Sequence, residues 1–280
     1  MVNLQFSVLA TGIALFVSTW TVDAGPLTNR VNAGQPVRIG FSNVPVYGFL
    51  DQKGQPKGFA NVIALDVLKR MGDTNVETTV TDWGGLIPGL QANRYDLITG
   101  GMYILNVRCK SIIFSEPIAK TGVAFIVPTG NPKKINTYRD IAEKGSVVVT
   151  YSESSTIADA KKEGIAEDKI MEVPGPTEVL ASVKAGRADA GSMTYFEAKS
   201  MAEQSNGTIQ ATDPDALPEW TQNWVGIGFR LDDADFVIKF NEALRKYLGS
   251  EEMMKSVKRY GVLPDRLPDD MTTEWICSHR

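Results

Sequence analysis

The chain has 280 residues, of which 43% are hydrophobic and 22% charged, a composition typical of a globular protein with one large or two modest domains. Its formal net charge is −4, and charges of both signs are scattered along the sequence. A mildly acidic chain of this kind lacks the basic patch that nucleic-acid binding requires, so we expect no nucleic-acid partner.

The N-terminal segment is typical of a secretory signal peptide. Residues Leu9 to Val17 are almost wholly apolar, and small and polar residues follow as far as Ala24. The apolar run is shorter than the ~18 residues that span a bilayer, and small residues before Ala24 suit signal peptidase. We therefore predict that residues 1–24 are a signal peptide, although Met1-Val2-Asn3 lacks the usual Lys or Arg.

Beyond a polar lead-in, the hydrophobic pattern predicts two series of alternating strands and helices. The first series has strands at 37–41, 76–80 and 95–99 and helices at 61–71 and 83–92. A strand at 124–127 then leads out of the first domain, and the second series has strands at 147–150, 170–173, 188–193 and 225–230 and helices at 157–163, 178–185, 196–204, 236–248 and 253–259. Asn61 is expected to cap its helix. Such alternation indicates α/β lobes with mainly parallel sheets.

Four short passages carry a resemblance to a known protein family. They are Val37-Arg38-Ile39-Gly40-Phe41 with Pro45 and Phe49; Gly58-Phe59 before a helix ending at Met71-Gly72; Trp83, Leu86-Ile87-Pro88-Gly89-Leu90 and Tyr95-Asp96; and Gly101-Met102-Tyr103-Ile104 with Arg108, then Phe114-Ser115-Glu116-Pro117. Together they resemble the bacterial solute-binding proteins of family 3, the polar amino-acid type that serves ABC importers. The last passage is the most specific, whereas Ala60 and Val62 depart from the acidic residues usual in the second.

The resemblance implies the type II periplasmic-binding-protein fold, in which two α/β lobes are joined by two crossover strands and the ligand lies in the cleft between them. Lobe 1 would comprise residues 25–127 plus 226–280, and lobe 2 residues 128–225. Cys109 and Cys277 then both fall in lobe 1, and export to an oxidising compartment makes a disulfide between them plausible.

The family's site residues map onto this chain at several positions. Arg108 occupies the place of the arginine that holds the ligand carboxylate, which suits the planar fork of a guanidinium. Ser155 and Thr156, with Ser154 beside them, lie where lobe 2 begins a helix and are expected to bind the same carboxylate. Gly101 and Met102, in the most specific motif, are expected to line the cleft.

Two departures bear on the ligand. Thr194 replaces the aspartate that pairs the α-ammonium in amino-acid binders, so another acid must do so or the ligand has no primary ammonium there. Tyr103 replaces a small residue and, with Tyr47 and Trp83, would give three aromatic faces. Such faces around a cation form a cation–π cage, favourable by ~2 kcal/mol or more when desolvated.

Arg108, Ser155 and Thr156 would form a clamp for the ligand carboxylate. Such a clamp next to an aromatic cage is similar to the binding site of the ectoine and hydroxyectoine binders of the family. Asn43 stands near the place where those proteins use an acidic residue, so a betaine or a polar amino acid stays open as the ligand. Trp220 and Trp224 lie near the second crossover, where they would either wall the site or pack the hinge.

The rival functions are an enzyme and a receptor module. Glu116 is the nearest general-acid candidate for an elimination of the dehydratase type, but its motif is common among plain binders, so we expect it to be structural. The only histidine, His279, lies at the extreme C-terminus, and we find no zinc spacing, P-loop or dinucleotide motif. We therefore expect a monomeric, periplasmic binding protein with no catalytic residue, metal or cofactor, whose partner is a membrane permease.

Overall fold

The computed structural model describes residues 24–262 and 264–280, so all of the predicted signal peptide except Ala24 lies outside the described residues. The strands in chain order are β1 Val37–Phe41, β2 Phe49–Leu50, β3 Pro56–Lys57, β4 Val76–Val80, β5 Leu97–Ile98, β6 Ile113–Phe114, β7 Ala119–Thr121, β8 Val123–Pro128, β9 Val148–Tyr151, β10 Ile170–Val173, β11 Ala190–Thr194, β12 Ile209–Ala211, β13 Asn223–Val225 and β14 Gly228–Phe229.

The helices in chain order are α1 Pro26–Asn32, α2 Phe59–Met71, α3 Leu86–Gln91, α4 Asn106–Cys109, α5 Tyr138–Glu143, α6 Ser155–Lys162, α7 Pro176–Lys184, α8 Tyr195–Gln204, α9 Ala234–Tyr247, α10 Glu251–Val257 and α11 Thr273–His279. Single 3-10 turns lie at Trp83–Gly85, Glu167–Lys169, Pro214–Ala216, Glu219–Thr221, Leu231–Asp233, Lys258–Tyr260 and Pro264–Arg266. Within the described part of the chain, every helix is too short or too polar to cross a bilayer.

The first sheet has the strand order β4-β1-β5-β14-β6 and defines lobe 1. Its β4, β1 and β5 are parallel, because each is followed by a helix that returns the chain to the same edge. Val37, Ile39 and Phe41 of β1 are buried and α2 packs against α9, which places the core of this lobe around the sheet.

The second sheet has the order β10-β9-β11-β8-β12 and defines lobe 2. Strands β10, β9 and β11 are parallel; β8 runs antiparallel to β11, and β12 runs antiparallel to β8. Because β8 pairs with β11, the second sheet begins at Val123, before the lobe boundary expected after residue 127. The domain limits themselves stay a prediction.

Two short strands connect the lobes. Strand β7 leads into lobe 2 and β13 leads back, and the two pair with each other in antiparallel fashion. Two α/β lobes joined by paired crossovers are the fold predicted from the sequence.

The sequence patterns placed most elements correctly but misplaced some ends. Helix α2 begins after Gly58, so Asn61 is not its cap; the Asn61 amide instead donates to the Lys57 carbonyl at 2.9 Å and its oxygen accepts from Thr99. The strand expected at 225–230 is split between β13 and β14, because one part crosses between lobes and the other joins the first sheet. The hydrophobic pattern did not predict α1, α4, α5 or α11.

The disulfide between Cys109 and Cys277 is present, with a Cα–Cα distance of 5.8 Å. It joins α4 to the C-terminal helix α11, 168 residues further along the chain. Asn106, at the start of α4, adds two hydrogen bonds to the same tail: its side-chain amide donates to the Cys277 carbonyl at 2.6 Å, and its backbone N–H to the Arg280 carbonyl at 2.7 Å. The C-terminal helix therefore braces α4.

A buried carboxylate joins the start of the chain to the last part of lobe 1. Asp96 has no exposed surface and accepts two side-chain hydrogen bonds from Arg38, at 3.0 and 2.7 Å. Arg230 reaches Asp96 at 3.1 Å and Arg30 at 3.4 Å. Burial raises the pKa of Asp96, but the hydrogen bonds from Arg38 outweigh it and the net pKa is lowered, so the carboxylate is charged at neutral pH.

We predict that Asp96→Ala lowers the free energy of unfolding by about 3 kcal/mol, because it removes a fully buried anion that Arg38 and Arg230 share, and Arg230 keeps only Asp233. Urea denaturation followed by circular dichroism measures this change. The control is Glu252→Ala, which removes an exposed ion pair with Arg70 and should cost no more than about 1 kcal/mol. Equal effects of the two substitutions would contradict the structural role assigned to Asp96.

Candidate functional site

A narrow cavity of about 10 Å3, room for roughly one water molecule, lies between the two closed lobes. Its lining residues are Trp83, Gly101, Tyr103 and Arg108 from lobe 1, and Tyr151, Ser154, Ser155, Thr156 and Thr194 from lobe 2. Both lobes close over the cavity, because most of these side chains are buried. Among them are seven of the residues predicted from the sequence to bind the ligand.

Arg108 is the only arginine or lysine that lines this cavity among the described residues. It lies on the short helix α4, and the Cys109 disulfide follows it directly. Its Nη1 donates to the Tyr103 carbonyl at 3.1 Å, and its Nη2 donates across the cleft to the Glu153 carbonyl at 3.2 Å.

The guanidinium of Arg108 is charged but has no carboxylate partner. Only 8% of the residue is exposed, and no ion pair within residues 24–262 and 264–280 involves it. Burial lowers the pKa of Arg108 to about 10, so the group stays protonated at neutral pH. A buried charge without a counter-ion is costly, and an anion in the cavity would offset that cost.

Hydroxyl groups at the start of α6 face this arginine from lobe 2. The Ser154 hydroxyl caps α6 by accepting from the Thr156 N–H at 3.4 Å and lies 2.9 Å from the Thr156 hydroxyl. Thr150 lies 2.6 Å from the same hydroxyl. The sequence left the register of this loop open; the structure places Ser154, Ser155 and Thr156 all on the cavity wall, where hydroxyls and helix N–H groups suit an anion.

Aromatic rings form the remaining wall, though not the three that were expected. Trp83 and Tyr151 meet edge to face with their ring centroids 5.6 Å apart, and the Trp83 indole donates to the Glu153 carbonyl at 3.3 Å. Tyr103 is buried, and its hydroxyl donates to the Gly122 carbonyl at 3.4 Å. Tyr151 was missed as an aromatic of the site, because it lies at the end of a buried strand where core packing was the simpler expectation.

Tyr47 does not line the cavity. Its ring packs against Phe59 at 4.8 Å and Phe196 at 6.1 Å, and a Cβ on Gly101 would lie 2.2 Å from it. Gly101 has a φ of 92°, so both its backbone conformation and this contact require glycine. Tyr47 therefore lies behind Gly101, and the aromatic rings on the cavity wall are Trp83, Tyr103 and Tyr151.

Four other predicted contributors also lie away from the cavity. Asn43 is exposed on the rim of a separate surface groove, and Met102 is buried in the core. Trp224 donates its indole N–H to Asp269 at 2.9 Å, and Trp220 carries Lys162 over its ring at 3.6 Å, so both pack near the crossover rather than at the site.

Thr194 lies on the cavity wall at the start of α8 and forms a capping box with Glu197. Glu197 Oε2 accepts from the Thr194 hydroxyl at 2.7 Å and from the Thr194 N–H at 3.1 Å. Glu197 is fully buried, and burial raises its pKa to about 7. The pattern Thr-x-x-Glu was visible in the sequence, but it predicts a cap and does not reveal that the carboxylate is buried beside a cavity.

The enzyme candidates lie elsewhere. Glu116 accepts a hydrogen bond from the Thr273 N–H at 3.1 Å, and His279 stacks on Trp275 with the ring centroids 4.5 Å apart. Neither lines the cavity. Within residues 24–262 and 264–280, no group of three or more His, Cys, Asp or Glu residues is arranged to hold a metal ion.

Comparisons with known proteins agree with this geometry. Residues 37–262 match the family described as bacterial extracellular solute-binding proteins, family 3. A relative from Sinorhizobium fredii, named a probable amino-acid ABC transporter periplasmic-binding protein, is 31% identical over 278 residues, which are 97% of this chain and 92% of the relative.

Solved structures give the same picture. The structure of EhuB in complex with hydroxyectoine matches with a TM-score of 0.81 at 25% identity, over 90% of this chain and 98% of that chain. An ancestral amino-acid-binding protein, described as a precursor of cyclohexadienyl dehydratase, matches with a TM-score of 0.74 at 25% identity, over 84% of this chain and 98% of that chain. With its two lobes, paired crossovers and interlobe cavity, the chain belongs to family 3 of the bacterial extracellular solute-binding proteins.

Proposed function

We propose that this protein is the extracytoplasmic solute-binding component of an ABC importer, which captures a small zwitterionic carboxylate and delivers it to a membrane permease. The buried, unpaired guanidinium of Arg108 facing the hydroxyls of Ser154 and Thr156 is the observation that carries the proposal. The name of the Sinorhizobium relative supports the importer, and the apolar N-terminal segment supports export.

The best candidate ligand is ectoine or hydroxyectoine. The aromatic wall of Trp83, Tyr103 and Tyr151 suits a diffuse cation next to the carboxylate site, in a cleft that must widen to admit a ligand. The likeness to EhuB with hydroxyectoine supports this choice. The alternative ligand is a polar amino acid or a betaine. Of these two, the name of the Sinorhizobium relative favours an amino acid.

An enzymatic function is the weaker alternative. The buried Glu197, with its pKa raised to about 7, has the property of a general acid, and one structural relative is described as a dehydratase precursor. However, Glu197 is bonded to Thr194 and lies behind the lining residues, so its proton does not face the cavity directly. Binding without turnover therefore fits the geometry better, and incubation with prephenate-like acids should yield no product.

The first prediction concerns the carboxylate clamp. A thermal-shift screen of the mature protein against ectoine, hydroxyectoine, glycine betaine, proline and polar amino acids should identify a ligand that, at a hundred times its Kd, adds ~2.7 kcal/mol of stability. Calorimetry should show that Arg108→Ala weakens this ligand by about 30-fold or more, because a charge-assisted pair is lost. The control is Arg94→Ala, an exposed arginine of the same lobe, which should bind like the wild type. Equal binding by both variants would refute the clamp.

The second prediction concerns the aromatic wall. Trp83→Leu should weaken a ligand with a cationic group by about tenfold or more, because a desolvated cation–π contact is lost. Trp220→Leu is the matched control, since Trp220 lies outside the cavity and its loss should leave Kd unchanged. Unchanged Kd in Trp83→Leu would remove the aromatic wall from the proposal and leave the clamp intact.

A further inference from the structure

One buried charge beside the cavity has no role in the clamp. Glu197 has no exposed surface, yet its carboxylate forms no ion pair with any described lysine, arginine or histidine. Its contacts are the N–H and hydroxyl of Thr194 and, at 3.5 Å from both carboxylate oxygens, the Tyr151 hydroxyl. Thr194 and Tyr151 both line the cavity, so Glu197 lies directly behind its wall.

Helix capping alone does not require this burial. Lobe 2 contains a second capping box, between Thr137 and Asp140 at the start of α5. There the carboxylate is partly exposed and forms an ion pair with Lys144 at 3.0 Å. Slight burial raises the pKa of Asp140, but hydrogen bonds from Asn136, Lys144 and Thr137 lower it to about 2. A capping box therefore forms with its carboxylate partly exposed to solvent, so capping does not explain why Glu197 is buried.

A series of contacts joins Glu197 to Arg108 through two aromatic rings. The Arg108 guanidinium lies over the Trp83 ring at 5.8 Å, Trp83 meets Tyr151 edge to face at 5.6 Å, and the Tyr151 hydroxyl lies 3.5 Å from both Glu197 carboxylate oxygens. Ionised Glu197 raises the pKa of the Tyr151 hydroxyl, after the larger effect of burial, and Arg108 lowers it. Rings of the cavity wall therefore lie between the cation of Arg108 and the carboxylate of Glu197.

More distant charges do not change this pattern. Burial is the largest effect on the pKa of Tyr47 and of Tyr103, and it raises both. The charge of Arg266 lowers the pKa of Tyr47, which lies behind Gly101, and the charge of the half-buried Asp159 of α6 raises the pKa of Tyr103. Neither forms a hydrogen bond with Glu197.

Building on the proposed function, we propose that Glu197 supplies the negative charge that selects ligands with a cationic group, acting across the hydroxyls of Thr194 and Tyr151. It is a specificity-determining residue that does not touch the ligand. A cation held among the aromatic rings stabilises the ionised carboxylate, while the clamp holds the carboxylate end of the same ligand. A carboxylic acid without a cationic group would pair with Arg108 but would leave Glu197 without a counter-ion.

This arrangement couples ligand binding to a proton. Without ligand the pKa of Glu197 is about 7, and a cation nearby favours the charged form and lowers that pKa. Binding near neutral pH therefore releases a proton, and affinity rises with pH up to the pKa of the free protein. From pH 8 to pH 6 the affinity should fall about fivefold, since a tenfold preference for the ionised form lowers the pKa of the bound protein by about one unit.

The test is calorimetry with ectoine and L-glutamine as probes, at pH 6, 7 and 8, in buffers with different ionisation heats. Wild type should release protons at pH 7 and show the pH dependence above. Glu197→Gln keeps the capping box, because glutamine also serves at this position, but removes the charge. It should bind about tenfold more weakly at pH 8, with no proton release and no pH dependence. Asp140→Asn neutralises the other capping box and should bind like the wild type.

The outcomes separate this assignment from the proposed function. If neither probe binds wild type at any pH, the zwitterion-binding function falls, and this assignment with it. If wild type binds but Glu197→Gln has the same affinity and pH dependence, the clamp stands and Glu197 is only a helix cap; Asp159, whose pKa burial also raises to about 7, then causes the pH dependence. If Glu197→Gln does not unfold cooperatively, the wild-type proton count decides, because absence of proton release at pH 7 overturns the assignment.

Discussion

The buried guanidinium of Arg108 is the constraint on which the rest of the site depends. A charge so far from water must be held by hydrogen bonds or compensated by a partner. In this structure the guanidinium donates hydrogen bonds to two backbone carbonyls, those of Tyr103 and Glu153. The short helix that carries Arg108 is too small to fix the side chain alone, and the disulfide at Cys109 and the bonds of Asn106 anchor it to the C-terminal helix. The tail of the chain thus contributes to the site without entering it.

The closed cleft follows from the same groups. Both Arg108 and Trp83 of lobe 1 donate to one carbonyl of lobe 2, that of Glu153. Glu153 has a φ of 62°, which turns its carbonyl toward the cleft at the cost of an uncommon backbone conformation. Since the cavity is enclosed, a ligand enters or leaves only when the lobes separate, and the paired crossovers β7 and β13 are the natural hinge. A carboxylate ligand would take over the donors that now meet this carbonyl.

The charges at the two ends of the cavity suggest how a small site discriminates. Arg108 and Glu197 are each buried without an ionic partner among the described residues; the charge of Arg108 is costly there, and ionising Glu197 is costly enough to raise its pKa to about 7. A zwitterion offsets both costs at once, whereas a ligand with a single charge leaves the other group uncompensated. Selectivity would then come from the cost of leaving Arg108 or Glu197 without a counter-ion as much as from the contacts that a ligand makes.

The sequence by itself determined the fold class and the alternating order of strands and helices, and it singled out Arg108 for the proposed clamp, because hydrophobic periodicity and the motif around Arg108 are local signals. It also predicted the disulfide once the fold was inferred. Only the tertiary structure decided which aromatic rings face the cavity. Tyr47 and Tyr151 are both buried tyrosines near strand ends, and their roles differ only because Gly101 admits the ring of Tyr47 behind it while Tyr151 meets Trp83 across the cleft. Likewise Glu197 and Asp140 carry the same capping pattern, and their pKa values differ because tertiary packing buries Glu197 and leaves Asp140 partly exposed beside Lys144, which the capping pattern does not encode.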